Sequence, residues 1–269
     1  MPELPEVETV KNELLPHVLG RVIAGVTLLW EGIVKKPTAG EFRSRITGQR
    51  ITGLTRHGKY LLFNLSGGEI LVMHLKMTGS LLVNPEDDKY TRAVIHLEGG
   101  VNIYFRDPRK FGAMWLTGDE NTVLDKLGPE PLEDAFTPEI LAQCLRHRTA
   151  PVKAVLLDQS VIAGIGNMYA DESLYEAGIH PRRVGGSLSG AEVRRLYAAI
   201  RRILRAAVIN KGASVQNYLR PGGEIGTAHF EFRVAHGVGK ECPIHHVPIR
   251  RIVVSGRGTY FCPRCQPEP

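Results

Sequence analysis

The 269-residue chain lacks any apolar run approaching the ~18 residues of a membrane-spanning helix, so a helical span is not expected. It also lacks a basic and then apolar leader. The opening Met1-Pro2-Glu3-Leu4-Pro5-Glu6 is acidic and proline-bearing, so no secretory signal is expected. Cysteine is scarce, and three of the four (Cys242, Cys262 and Cys265, with Cys144 apart) crowd the C-terminal end. That distribution argues against a disulfide framework and for metal binding in a reducing compartment. An excess of acidic residues is missing too: 34 Lys and Arg stand against 28 Asp and Glu, a net charge of +6 with pI ≈ 9.2. Residues 1–120 carry 15 basic against 14 acidic side chains, and residues 121–269 carry 19 against 14. A polyanionic partner is expected, held more by the C-terminal half.

What is present suffices for a sizeable core and two domains. Leu4, Val7, Val10 and Leu14 are spaced for an amphipathic helix over 3–15 that Pro16 should end. From about 22 to 117 seven short β runs follow, with Gly67-Gly68 and Gly99-Gly100 as hairpin signals. This predicts an antiparallel sandwich or barrel with a flanking helix. Residues 118–136 look like a linker. Beyond it Thr137 and Pro138 open a helix over 137–148, and 153–178 reads as helix, long turn and helix with Asn167 as N-cap. Ser189 and Glu192 make a capping box for the next helix, while 211–240 has no periodicity. The fold class is α+β multidomain. The expected divisions are an N-terminal sandwich (1–117), a linker (118–136), a helical domain (137–230) and a C-terminal hairpin (231–269).

Several residues carry chemistry. If Met1 is removed, Pro2 becomes a secondary amine able to form a cationic iminium with a sugar carbon. Glu3 beside it, and Glu6 one turn on, supply carboxyl groups for proton transfer. The same residues would also suit a plain helix start. Lys59 lies in a turn, His57-Gly58-Lys59-Tyr60, where solvation is the ordinary fate. Met77 ends a strand, where a core methionine is the default. Arg109 and Phe111 occupy the basic turn 107–112, which suits a wedge entering a base stack. Cys262-Pro-Arg-Cys265 has zinc-knuckle spacing, with Cys242 and His245 upstream as the other pair and His246 as an alternative ligand. Arg257 lies between Gly256 and Gly258, where the tip of the hairpin should be.

MPELPEVETV at the start, HGKYLLF at 57–63, DPRKFG at 107–112, GIGNMYADE at 164–172 and GRGTYFCPRC at 256–265 occur at separations that resemble the formamidopyrimidine-DNA glycosylase family. The resemblance covers nearly the whole chain. It implies a bifunctional DNA glycosylase and AP lyase that excises 8-oxoguanine and formamidopyrimidines from damaged double-stranded DNA. In that reading Pro2, Glu3, Lys59 and Arg257 are catalytic. Met77, Tyr90, Arg109, Phe111, His147, Arg148 and Asn167 contact DNA, around a helix–two-turn–helix motif. One structural zinc would sit on Cys242, His245, Cys262 and Cys265. The family normally has cysteine where His245 stands, followed by glycine. A monomer working in the cytoplasm at the nucleoid, without a membrane, completes the expectation. The nearest alternatives are an endonuclease VIII-like enzyme for oxidised pyrimidines, against which Leu4 and DPRKFG speak, and a non-catalytic damaged-DNA-binding protein.

Overall fold

The computed structural model describes residues 1–269 except Asp87, Gln216 and Pro269. The chain divides into two compact units, Met1–Lys126 with Asn210–His229, and Leu127–Ile209 with Phe230–Pro269. In chain order the first unit holds α1 (Leu4–Val18), β1 (Ile23–Leu28), β2 (Val34–Lys36), α2 (Ala39–Ile46), β3 (Ile51–His57), β4 (Tyr60–Leu65), β5 (Ile70–His74), β6 (Ser80–Val83), β7 (Thr91–Leu97), β8 (Asn102–Arg106), β9 (Ala113–Thr117) and α3 (Asn121–Leu124). The second holds α4 (Pro138–Leu145), α5 (Val152–Leu157), α6 (Asn167–Ala177), α7 (Gly190–Ile209), β10 (Arg250–Val254) and β11 (Arg257–Phe261).

Two sheets build the first unit: β1-β7-β8-β6, and β2-β9-β5-β4-β3. They share one core. Ile23, Leu81, Ile95 and Phe105 come from the first sheet, and Leu61, Phe63, Leu71, Met73 and Met114 from the second. α1 adds Val7, Val10, Leu14 and Val18, and each such buried side chain contributes roughly 1.5–3 kcal/mol. The expected antiparallel sandwich is present with one departure: β2 pairs parallel to β9. Pro16 does not end α1, which runs on to Val18. Its missing N–H forfeits one bond near the helix end, while burial of Leu14 and Val18 holds the last turn against the core.

The segment 210–229 was expected to belong to the helical domain, yet it packs within the first unit. Its anchors are there: Arg220 forks onto Glu13 of α1 at 2.7 Å, and the Val83 amide donates to the Pro221 carbonyl at 2.9 Å.

In the second unit α4 starts as expected, the Ile140 amide donating to Thr137 Oγ1 at 3.4 Å. It ends at Leu145, so His147 (φ 60°) and Arg148 lie in the exposed turn beyond it. The capping box of α7 forms, Ser189 and Glu192 exchanging bonds at 2.7 and 3.3 Å. Arg201 is buried on α7. Its guanidinium donates to the carbonyls of Pro131, Glu133 and Phe136, which pins the connecting segment. Among the described residues no helix is long and apolar enough to cross a membrane.

Candidate functional site

One end of the five-stranded sheet gathers most of the candidate residues of the first unit. β3 and β4 meet at His57↔Tyr60, β4 and β5 at Tyr60↔His74, and β5 and β9 at His74↔Ala113. The β3–β4 turn, the segment after β5 and the loop before β9 therefore emerge at the same edge. Lys59 stands in the first of these, and it is buried, not a solvated tip. Gly58 takes the left-handed φ of 55° that the two-residue turn needs. Arg56 fastens this turn to α1, donating to the Gly58 carbonyl at 2.9 Å and to Glu8 at 2.7 Å.

His74 belongs to this edge although the sequence reading passed over it. Its ring stands edge-on to Tyr60 at 4.5 Å, and its Nδ1 accepts the Lys76 amide at 2.8 Å. Burial, with the charges of Lys76 and Lys59, pushes the imidazole down to about 3. The ring is neutral at pH 7, with its proton on Nε2.

Pro2 and Glu3 are buried at the start of α1, while Met1 is half exposed. Glu3 and Glu6 form a capping box, in which the Glu3 amide donates to Glu6 Oε2 at 2.7 Å. Glu6 is fully buried, and its other oxygen accepts the Ala213 amide, also at 2.7 Å. A Cβ on Gly212 (φ 76°) would come within 2.9 Å of the Glu6 side chain, so only glycine fits there. One carboxylate thus joins the chain start to the returning segment.

The wedge candidates cluster in the open. Met77 and Phe111 are 44% and 46% exposed, too much for core residues. The Arg109 guanidinium lies 4.5 Å over the Phe111 ring and 3.4 Å from Met77 Sδ. Asp107, wholly buried, organises the loop from beneath. Its Oδ2 accepts the amides of Phe111 and Gly112, both at 2.7 Å, and its Oδ1 accepts the Arg109 amide at 3.2 Å and the Thr78 hydroxyl at 2.5 Å. Thr78 follows Met77, so one carboxylate positions all three. Tyr90 joins the same loop through its backbone, its carbonyl accepting the Asp107 amide at 2.9 Å, while its ring lies between Lys89 and Arg106 at 5.3 and 4.9 Å.

In the second unit Asn167 is the first residue of α6, with Gly166 as N-cap, not the cap itself. Its amide instead donates to the Gly258 carbonyl at 3.0 Å, on the strand that Arg257 begins. Beneath, the Lys153 ammonium pairs with Asp171 at 2.7 Å and donates to Thr259 Oγ1 at 2.8 Å and the Gly258 carbonyl at 3.1 Å. Burial pushes the Asp171 carboxyl up to about 7, against the pull of Lys153. The Tyr260 amide completes the tie at 3.1 Å. Arg257 is exposed beside the two-residue turn Ser255-Gly256, both left-handed (φ 47° and 76°).

The metal ligands flank the β10–β11 hairpin and do not lie on its arms. Cys242 and His245 precede it and Cys262 and Cys265 follow, with all four ligand atoms within 4.8 Å of one another. Cys242 and Cys265 sulfurs are 3.6 Å apart, and His245 Nδ1 is 3.1 Å from Cys265 Sγ. Tetrahedral zinc with bonds of ~2.1–2.3 Å spaces its donors by roughly 3.4–3.8 Å; the Cys242–Cys265 pair meets that spacing, and three thiols with one imidazole are a donor set for one structural zinc. The Tyr175 hydroxyl supports Cys242 Sγ at 3.3 Å. His246 points elsewhere, its ring exposed, and holds φ 52°, a conformation that favours glycine.

Comparison with known proteins places this geometry. The family model of the formamidopyrimidine-DNA glycosylase N-terminal domain matches residues 1–114, and that of the formamidopyrimidine-DNA glycosylase H2TH domain matches 127–218. The zinc finger found in FPG and IleRS matches 247–267. A formamidopyrimidine-DNA glycosylase of Symbiobacterium thermophilum is 45% identical, over 100% of this chain and 90% of its own. The crystal structure of the MutM (Fpg) protein from Thermus thermophilus superposes with a TM-score of 0.91 at 41% identity, over 100% of both chains. That of the Lactococcus lactis Fpg, in complex with abasic-site-containing DNA, gives 0.92 at 32%, over 99% of this chain and 100% of that one. The chain belongs to the formamidopyrimidine-DNA glycosylase family.

Proposed function

We infer that this protein is a DNA glycosylase and AP lyase that removes oxidised purines, 8-oxoguanine and formamidopyrimidines, from duplex DNA. What supports the reading most is the start of α1: Pro2 and Glu3 are buried there and held by Glu6, in the unit that exposes the Met77, Arg109 and Phe111 cluster. With Met1 removed, the Pro2 nitrogen attacks the sugar carbon bearing the damaged base. The bond to the base breaks, Glu3 protonates the ring oxygen as the sugar opens, and an iminium forms. Loss of the adjacent carbon-bound proton expels the 3′ phosphate, a step Lys59 assists. A second elimination, aided by Arg257, expels the 5′ phosphate and leaves a one-nucleotide gap.

Met77, Arg109 and Phe111 fill the stack vacated by the everted nucleotide, and Arg109 faces its former partner. Tyr90, His147, Arg148 and Asn167 hold the backbone, and the loop within 211–240, tied to α1 at Ala213 through Glu6, closes over the everted base. Zinc on Cys242, His245, Cys262 and Cys265 holds the hairpin that presents Arg257. The protein acts as a monomer in the cytoplasm, at the nucleoid. The test is cleavage of three duplexes, carrying 8-oxoguanine opposite cytosine, an oxidised thymine, or no lesion. The reading requires cleavage of the first above the others. Preference for the thymine lesion would indicate the endonuclease VIII-like alternative, and binding without cleavage the non-catalytic one.

A further inference from the structure

Beside the wedge, two lysines converge on one indole, and a third, Lys76, stands at the same sheet edge. Trp30 packs its ring over Gly32, where a Cβ would come within 2.6 Å of it. The Lys35 ammonium lies 5.6 Å from the ring centroid and that of Lys110 5.9 Å. Lys35 is steadied further by donating to the Gly32 carbonyl at 2.6 Å. Lys76 shares the field, since burial and then the charge of Lys35 lower its ammonium. The sheet explains the convergence. β2, β9 and β5 are neighbours, so Lys35 near the start of β2, Lys110 just before β9 and Lys76 just after β5 reach the same edge.

Among the described residues none of the three forms an ion pair with a carboxylate. The nearby Glu31 is turned to Arg43 at 2.8 Å. Lys76 and Lys110 also keep left-handed φ of 55° and 57°, a conformation that a glycine would hold more easily. Like charges gathered without a counter-charge call for an external anion. Its kind follows from position: Lys76 adjoins Met77 and Lys110 adjoins Phe111, so whatever meets the wedge meets these ammoniums.

We propose that Lys35 and Lys110, fixed on the indole of Trp30, form with Lys76 a phosphodiester clamp that grips the DNA backbone next to the wedge. The clamp rests on the reading of the protein as a DNA enzyme. It neutralises backbone charge where eversion distorts the duplex, and the Lys35 and Lys110 contacts are insensitive to base sequence.

The experiment measures binding of the full chain to undamaged and 8-oxoguanine duplexes across a salt series. Lys35→Gln and Lys110→Gln keep length and polarity while removing charge. Each should lower the slope of log affinity against log salt by about 0.9, and the double variant by about 1.8. Single methylphosphonate linkages, scanned along both strands, should weaken the wild type at one or two positions and have no effect there on the double variant. Thermal unfolding checks that the variants fold. An unchanged slope, or the same methylphosphonate profile in both proteins, overturns the clamp and leaves the lysines as covers of a half-buried indole. Failure of the glycosylase reading is seen separately, as absence of cleavage by the wild type, because the clamp is read from binding to plain duplex.

Discussion

Asp107→Asn tests whether the wedge is held by a single buried carboxylate. Asp107 takes four donors on two oxygens: Phe111 and Gly112 on one, Arg109 and Thr78 on the other. Asparagine replaces one acceptor with a donor. The cheaper placement turns its Nδ2 toward Thr78, whose hydroxyl can accept, and leaves the Arg109 amide without its bond. The other placement sets Nδ2 against two amides. A hydrogen bond to a charged group is worth ~1.5–3 kcal/mol and a buried unmet donor costs ~1–3 kcal/mol, so the loss should be roughly 1–3 kcal/mol. Urea unfolding reads it as a lower midpoint with an unchanged slope. If the loss falls on loop order, affinity for a lesion duplex drops by about 5- to 150-fold. A duplex with a preformed abasic site, already flexible, should lose less. An unchanged midpoint together with unchanged lesion affinity would refute the argument.

Phe111→Ala should weaken binding to an 8-oxoguanine duplex by about 5- to 150-fold, from one lost aromatic stack of ~1–3 kcal/mol, and weaken abasic-duplex binding less; equal losses would make Phe111 a support of the fold. His245→Ala should lower the zinc content found by metal analysis and impair DNA binding, whereas His246→Ala, with its exposed ring, should do neither; full zinc in His245→Ala would contradict the ligand set. His245→Cys should retain metal and activity. His74 titrates at about 3 in the folded protein against about 6.5 unfolded, so its contribution to stability is complete above pH ~6.5 and is lost as pH falls toward ~3. His74→Gln should flatten the fall in unfolding free energy over that window, and an unaltered pH profile would show that the ring is not held neutral.

Seven of the nine strands of the first unit were legible as short apolar runs between turn residues. β2 and β6 were not. β2 is three residues of an edge strand, Val34-Lys35-Lys36, with no alternation to read. β6 carries Ser80-Leu81-Leu82-Val83, buried at all but its last position, so it shows no period either. α2 was overlooked despite the Thr38/Glu41 capping box that starts it, a signal written in the sequence. The site divides similarly. Only the Arg109-Lys110-Phe111 turn stands out by composition alone; Pro2, Glu3, Lys59 and Met77 also suit a helix start, a solvated turn and a core position, and became legible through the motif spacing they share. His74 escaped because sheet register brings Tyr60 alongside it, and Asp107 because an acid in a turn is ordinary, its amide donors being local and only Thr78 distant. Glu6 meets Ala213 across 207 positions, and no local pattern announces a bond of that span. Asn167 looked like a cap because its residue type suits one; only the presence of the Gly258 carbonyl decides where its amide goes.

The central claim is that the Pro2 amine is the nucleophile, and covalent trapping tests it most directly. The processed enzyme, lacking Met1, is mixed with an 8-oxoguanine duplex and a borohydride-type reductant, which converts an iminium to a stable amine. Mass spectrometry should then find the DNA adduct on residue 2. Retaining Met1 makes that nitrogen an amide with a delocalised lone pair and should abolish trapping while damaged-duplex binding stays measurable. An adduct on Lys59, or undiminished trapping with Met1 in place, would contradict the account.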